Sequence, residues 1–313
     1  MTILGCGTMG TAILSGILAS LVQSAEAMDN DKSLPAERIP SRLPSRFYAC
    51  VRSARGAKRV HDELDKYNAN LHVFENDNVS AVKDSDVVLV ACEPHVVDDV
   101  LGVAATGMQE ALEGKLLISV LGGVSEHRLH QIIQGDSSSS RTSKDSKGTS
   151  SSSSSCTIVR AMPNTAAAIR ESMTVIVTSN PPLPEETADL VSWIFTRIGQ
   201  IIYLPESHID ASTALCGSGP AFCALVAESM AAGAIRMGIP RLEAYTMVAQ
   251  VMRGTTGLLQ HGEHPALLRD KVCTPGGGTV AGLQVLEEGA VRGTISRAVE
   301  ESAKVVGRGG RKE

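Results

Sequence analysis

The chain has 313 residues, 43% of them apolar and 20% charged, with a net charge of -5, enough for two ordinary domains with buried cores. The acidic balance and the 3% aromatic content argue against a nucleic-acid partner, which would need a basic surface for phosphates and rings for base stacking. The seven cysteines are widely spaced, with no CxxC pair and no Cys/His spacing suited to zinc, so a reduced, cytoplasmic thiol set without a bound metal is expected.

Met1 to Ala25 carries no charge, but no basic segment opens it and Gly5, Gly7, Gly10 and Gly16 interrupt the apolar run. That pattern fits a phosphate loop better than a signal peptide or a membrane span. Strands are expected at Thr2–Leu4, Phe47–Val51, Leu71–Phe74, Val87–Ala91, Leu116–Val120, Thr157–Ala161, Thr174–Thr178 and Gln200–Tyr203. The first is short and reads as clipped. Helical patterns lie between them at Thr8–Val22, Ala54–Tyr67 and Val96–Leu112. This alternation predicts an α/β domain with a Rossmann-type doubly wound parallel sheet over residues 1–206, ligands sitting at the carboxyl ends of the strands. Two irregular insertions are expected in it. Residues 24–46 are polar and contain Pro35, Pro40 and Pro44, and residues 136–155 contain twelve serines, too little apolar surface to offset the entropy of ordering.

From Ser207 the strand pattern stops, and residues 207–313 read as an all-helical domain. The stretch Ala211–Ala227 is uncharged, but Gly217-Ser218-Gly219-Pro220 is expected to break it, against a spanning helix. Between Gly217 and Pro240 the only charges are Glu228 and Arg236, so the helix there needs burial on nearly all sides. One small helical domain could hardly supply that cover, and intertwining into an obligate homodimer would.

Gly5-Cys6-Gly7-Thr8-Met9-Gly10 is GxGxxG between a strand and a helix. Gly5 permits the tight turn, Gly7 lets backbone approach a pyrophosphate, and Gly10 lets helix pack on strand, with the helix N-terminus attracting the diphosphate. After the second strand stand Arg52-Ser53-Ala54-Arg55, with no carboxylate for a ribose 2′-hydroxyl. A guanidinium and a hydroxyl suit a 2′-phosphate, which favours NADPH over NADH; solvated surface basics are the alternative. In Arg160-Ala161-Met162-Pro163-Asn164-Thr165, Asn164 either borders a nicotinamide or bonds neighbouring backbone. Cys273-Thr274-Pro275-Gly276-Gly277-Gly278-Thr279 opens a helical stretch from Val280 to Glu288. Its exposed amides and the Thr279 hydroxyl suit a carboxylate, a plain helix–helix turn being the alternative.

Together with Val90–Val96 (VACEPHV), Ser119–Ser125 (SVLGGVS) and Gly217–Pro220 (GSGP), these stretches make the chain resemble pyrroline-5-carboxylate reductases over nearly its whole length. The resemblance implies a Rossmann domain, a helical dimerisation domain, and homodimers that assemble further into rings. It implies NADPH-dependent reduction of 1-pyrroline-5-carboxylate to L-proline, the last step of proline biosynthesis. Carried over, Gly5, Gly7, Thr8, Met9 and Gly10 hold the diphosphate, Arg52 and Ser53 the 2′-phosphate, Asn78 the adenosine side, and Ala91 and Pro94 the nicotinamide. Thr274, Gly276, Gly277, Gly278 and Thr279 receive the substrate, Thr279 acting as catalytic partner of the ring nitrogen. Many relatives have Lys-Pro where this chain has Glu93-Pro94, so a cation's role there does not carry over. The rival readings are a β-hydroxyacid dehydrogenase and a catalytically silent NADP-binding protein. The first needs a lysine-type base early in the second domain, yet no lysine lies between Lys147 and Lys271.

Overall fold

The computed structural model describes residues 1–27, 39–102, 105–135 and 156–309. The chain divides into two compact units, Met1–Gly217 with Val305–Glu313, and Ser218–Lys304.

The first unit is built on one eight-stranded sheet. Its strands are β1 (Thr2–Leu4), β2 (Phe47–Val51), β3 (Leu71–Glu75), β4 (Val87–Val90), β5 (Leu116–Ser119), β6 (Thr157–Met162), β7 (Ser172–Val177) and β8 (Gly199–Leu204). The order is β3-β2-β1-β4-β5-β6-β7-β8. Central β1 pairs in parallel on both sides, Ile3 opposite Ala49 of β2 and Leu89 of β4. The core strands are apolar throughout because both faces are covered. On one face α1 (Thr8–Ala27), α2 (Ala54–Leu64) and α7 (Glu185–Thr196) contribute Ile13, Leu14, Ile17, Val60, Leu64, Val191 and Phe195. On the other, α3 (Asn78–Lys83), α4 (Val97–Leu101), α5 (Met108–Leu112) and α6 (Glu126–Gln134) contribute Val82, Leu101, Met108, Leu112, Leu129 and Ile132. The strand order reverses between β1 and β4, which places the topological switch point directly above the glycine loop.

The expected strands appear within two residues of their sequence bounds, with one difference of direction. β7 runs antiparallel to β6, because only residues 163–171 join them, too few for a crossover helix. A 3₁₀ turn at Thr165–Ile169 fills that link. The single helix expected at Val96–Leu112 is instead a 3₁₀ turn at Pro94–Val96 followed by α4 and α5. Gly102 ends α4, and Gly107, at φ +85°, precedes α5; two glycines in one window end a helix more readily than its apolar spacing extends it. The irregular stretch expected from Ser24 begins later, since α1 continues through Ala27, where Ala-Glu-Ala favours helix. Residues 28–38 and the whole of 136–155 lie outside the described residues, and 39–46 are irregular. Gly217–Pro220 does not interrupt its helical run. α8 (Ile209–Ser212) passes into a π-helical turn at Thr213–Ser218 and then into α9 (Gly219–Arg236). Pro220, which has no N–H to donate, falls where the π-helical turn passes into α9.

The second unit contains α9, α10 (Arg241–Gln260), α11 (Pro265–Val272), α12 (Gly278–Glu288) and most of α13 (Val291–Gly309). Ala231, Ala244 and Val248 make a small core where α9 meets α10. In the single chain, which was not expected to cover the Gly217–Pro240 helix by itself, Ala231 is the buried residue of α9, and Leu225 is 64% exposed and Met230 45% exposed. On α10, Leu242, Met247 and Val251 are exposed as well. This unit carries far more apolar surface than it covers by itself.

The turn from β1 into α1 is set by close approach. Gly5 has φ +78°, and a Cβ there would stand 2.6 Å from the Cys92 Cα just beyond β4. A Cβ on Gly10 would stand 2.9 Å from Ile3 Cγ2, so the helix rests on the strand with no room for a methyl group. Gly5→Ala is expected to cost about 2–4 kcal/mol from backbone strain and overpacking together. Urea denaturation followed by circular dichroism measures it, and an unchanged midpoint would show that the turn is not held this tightly.

Candidate functional site

A cleft of about 720 Å³ opens at the switch point, a size suited to a small ligand or cofactor. Eight of the expected cofactor residues line it: Gly5, Gly7, Thr8, Arg52, Ser53, Asn78, Ala91 and Pro94. Gly7 leaves its outer side open, the nearest atom to a Cβ there being Gly5 O at 3.8 Å. The first-turn amides of α1, from Thr8 onward, have no carbonyl one turn earlier in the helix to bond and carry partial positive charge. At the end of β2, Ser53 caps α2 by accepting from the Gly56 amide at 3.3 Å. Asn78 is the first residue of α3, whose own cap is Asp77. An open glycine, unbonded helical amides and arginines at one mouth form a donor set that fits a phosphorylated dinucleotide.

Three expected residues do not line the cleft. Met9 packs against the core and Gly10 is buried beneath the loop. Asn164, nine-tenths buried, has its amide engaged within the fold: Oδ1 accepts from the Ala166 amide at 3.1 Å and Nδ2 donates to Cys216 O at 3.0 Å. Its own backbone N–H donates to Ser172 Oγ at 3.0 Å. This geometry matches the backbone-bonding alternative for Asn164. Arg160 of the same run is buried and ion-paired with Glu206.

The cleft also contains residues to which the sequence assigned no cofactor contact. Arg55 and Arg59 join Arg52 there, and Arg59 Nη2 donates to Cys6 O at 3.0 Å. The signal was present, since positions 55 and 59 share one face of a helix. Asn76, at φ +56°, turns the chain out of β3, its amide bonded to Val51 O. Glu93 brings a carboxylate beside Pro94, with His95 Nε2 at 3.5 Å. Burial pushes the Cys6 and Cys92 thiols up to about 11 and Cys50 to about 12, so the three sulfurs lining the cleft stay neutral and do not repel phosphate.

The second expected site lies in the other unit and is a single turn. Thr274 O accepts from the Gly277 amide at 2.9 Å across Pro275 and Gly276, the latter at φ +69°. Proline followed by a left-handed glycine is the signature of a type II turn. The turn delivers Gly277 as N-cap of α12 with no side chain capping it, so the first amides of α12, and Thr279 in that first turn, stay available. A Cβ on Gly277 would stand 2.4 Å from Thr274 Oγ1, which ties the threonine to the glycine. Among the described residues no group of three or more His, Cys, Asp or Glu could hold a metal ion.

A doubly wound sheet with a phosphate-suited cleft at its switch point defines a dinucleotide-dependent oxidoreductase class. Residues 206–307 match the family described as pyrroline-5-carboxylate reductase dimerisation, and residues 1–123 match that described as NADP oxidoreductase, coenzyme F420-dependent. A pyrroline-5-carboxylate reductase of Lophium arboricola is 50% identical over 97% of this chain and 91% of its own length. One of Neurospora crassa is 45% identical over 100% and 94%. Among solved structures, the Plasmodium falciparum pyrroline carboxylate reductase with NADP bound shares the fold, with a TM-score of 0.72 at 24% identity, covering 99% of this chain and 97% of that one. The chain belongs to the pyrroline-5-carboxylate reductase family. The same family assignment explains the run Glu206–Arg236, which is long and apolar enough to cross a membrane but falls within the dimerisation match.

Near pH 8 a thiol raised to about 11 is ionised in about one molecule in a thousand. Cys6, Cys50 and Cys92 are therefore expected to resist iodoacetamide in the native protein and to react once it is unfolded. Peptide mass spectrometry reads this, and rapid native labelling of any of the three would contradict the buried, neutral state.

Proposed function

We propose that this chain is an NADPH-dependent pyrroline-5-carboxylate reductase, reducing 1-pyrroline-5-carboxylate to L-proline, the closing step of proline biosynthesis. The observation that carries the reading is the family likeness along the whole chain together with an intact Thr274–Thr279 turn ahead of an uncapped helix. NADPH, when bound, supplies the hydride that converts the C=N bond to C–N. In this reading Gly5, Gly7, Thr8, Met9 and Gly10 form the diphosphate cradle, and Arg52 and Ser53 meet the 2′-phosphate. Asn78 serves the adenosine side, and Ala91, Pro94 and Asn164 the nicotinamide side. Asn164 does so by holding its loop, since its amide is already bonded within the fold. The amides at Gly276 and Gly278, with Thr274, anchor the substrate carboxylate, Gly277 shapes the turn because its own amide donates to Thr274 O, and Thr279 hydrogen-bonds the ring nitrogen. A cyclic imine can arrive already protonated, so alignment and anchoring matter more than a strong general acid.

The dimerisation match and the uncovered apolar helices support homo-oligomerisation. Our reading is a homodimer formed through α9 and α10, with rings of dimers as a further level of assembly, working in the cytoplasm. The widely spaced cysteines, with no CxxC pair, agree with a reducing compartment.

Purified protein with 1-pyrroline-5-carboxylate is expected to oxidise NADPH faster than NADH, and Thr279→Ala to lower kcat by about ten- to a hundredfold through the lost hydrogen bond. Cofactor binding without turnover in the wild type would instead favour a silent relative. In sedimentation, wild type is expected as a dimer or larger. Val226→Asp with Met230→Asp places two carboxylates on one exposed stripe of α9 and should shift the mass toward the monomer; an unchanged assembly would move the interface elsewhere.

A further inference from the structure

We infer that Arg59 is a positioning residue for the phosphate loop, holding the Cys6–Gly7 peptide in the one orientation that admits a dinucleotide diphosphate, a role separate from that of Arg52 at the 2′-phosphate. The inference rests on the cofactor reading above and adds a residue to it.

Four bonds hold the peptide groups on either side of Cys6. The Cys6 amide donates to Cys50 O at 2.8 Å and the Gly7 amide to Gly5 O at 2.6 Å, while the Cys6 carbonyl accepts from Thr11 Oγ1 at 3.4 Å and from Arg59 Nη2 at 3.0 Å. Of the two donors to that oxygen, Arg59 is the closer and the only charged one, which makes its bond the stronger. The loop needs such a restraint. Gly7 has open space on its outer side and, as glycine, meets little steric resistance to rotation of the peptide before it. With the carbonyl turned toward the cleft, a partial negative charge would face the cofactor phosphates. Arg59 is well placed to prevent this because it stands on α2, a helix anchored through buried Val60 and Leu64 and capped by Ser53. A support on a packed helix holds a loop more closely than one on another loop.

NADPH and NADH share the diphosphate and differ at the 2′-position. A residue that orients the loop therefore acts on both cofactors, whereas a 2′-phosphate ligand acts on one. Titration of nucleotide fluorescence gives both dissociation constants for wild type, Arg59→Met, Arg59→Lys and Arg52→Met, with circular dichroism to confirm folding. Arg59→Met is expected to weaken NADPH and NADH equally, by about tenfold, as suits loss of one charged hydrogen bond. Arg59→Lys should fall between, and Arg52→Met should weaken NADPH alone. An Arg59→Met variant that loses NADPH affinity but keeps NADH affinity would overturn the inference and make Arg59 a phosphate ligand, and one that binds both as wild type would overturn it outright. A wild type that binds neither nucleotide would overturn the cofactor reading itself.

Discussion

The structure of the first unit depends on one near-contact between backbones. Where β1 turns into α1, the chain passes so close to Cys92 that no Cβ fits at Gly5. That proximity follows from the parallel pairing of β1 with β4 and from the reversal of strand order beside it. With the crossing this tight, α1 starts directly at the sheet's edge, and its unbonded amides face the crevice between the diverging connections. Gly10 then fixes how closely the helix lies on Ile3. The anion-binding property is thus a by-product of packing, arising before any charged side chain is considered.

Charge enters at the second layer. Arg52, Arg55 and Arg59 bring three guanidiniums to the mouth of the cleft, while Glu93 brings a carboxylate. The neutral, buried thiols of Cys6, Cys50 and Cys92 fill space between β-strand ends without adding negative charge. In the proposed function, selectivity between cofactors that share a diphosphate belongs to the α2 end of the cleft, and affinity common to both belongs to the α1 end. A single arginine that reaches from α2 to the loop carbonyl of Cys6 joins the two layers.

Much of this was legible in the sequence because apolar β-branched runs, glycine spacing and loss of strand pattern after Ser207 report local preferences that tertiary packing did not override. The features that were not legible depend on partners distant along the chain. The direction of β7 follows from the length of the link after β6 and the 3₁₀ turn that fills it. The break between α4 and α5 lay in two glycines whose spacing was outweighed by the apolar pattern around them. Asn164 was legible as a turn residue, but its bond to Cys216 spans 52 positions and leaves no local trace. Gly217–Pro220 looked like a break because glycine and proline usually are one, yet a π-helical turn absorbs them.

The second unit presents the opposite physical problem from the first. Its core is a few small residues between α9 and α10, and large apolar side chains such as Leu225, Leu242, Met247 and Val251 remain uncovered in the single chain. At about 25 cal/mol per Å², leaving such surface in water is unfavourable enough to make association part of the fold's stability rather than an addition to it. The Thr274–Thr279 turn belongs to this same unit. In the proposed function the two units divide the work, one supplying a cofactor cradle fixed by close packing and the other a substrate-binding turn on helices that association stabilises.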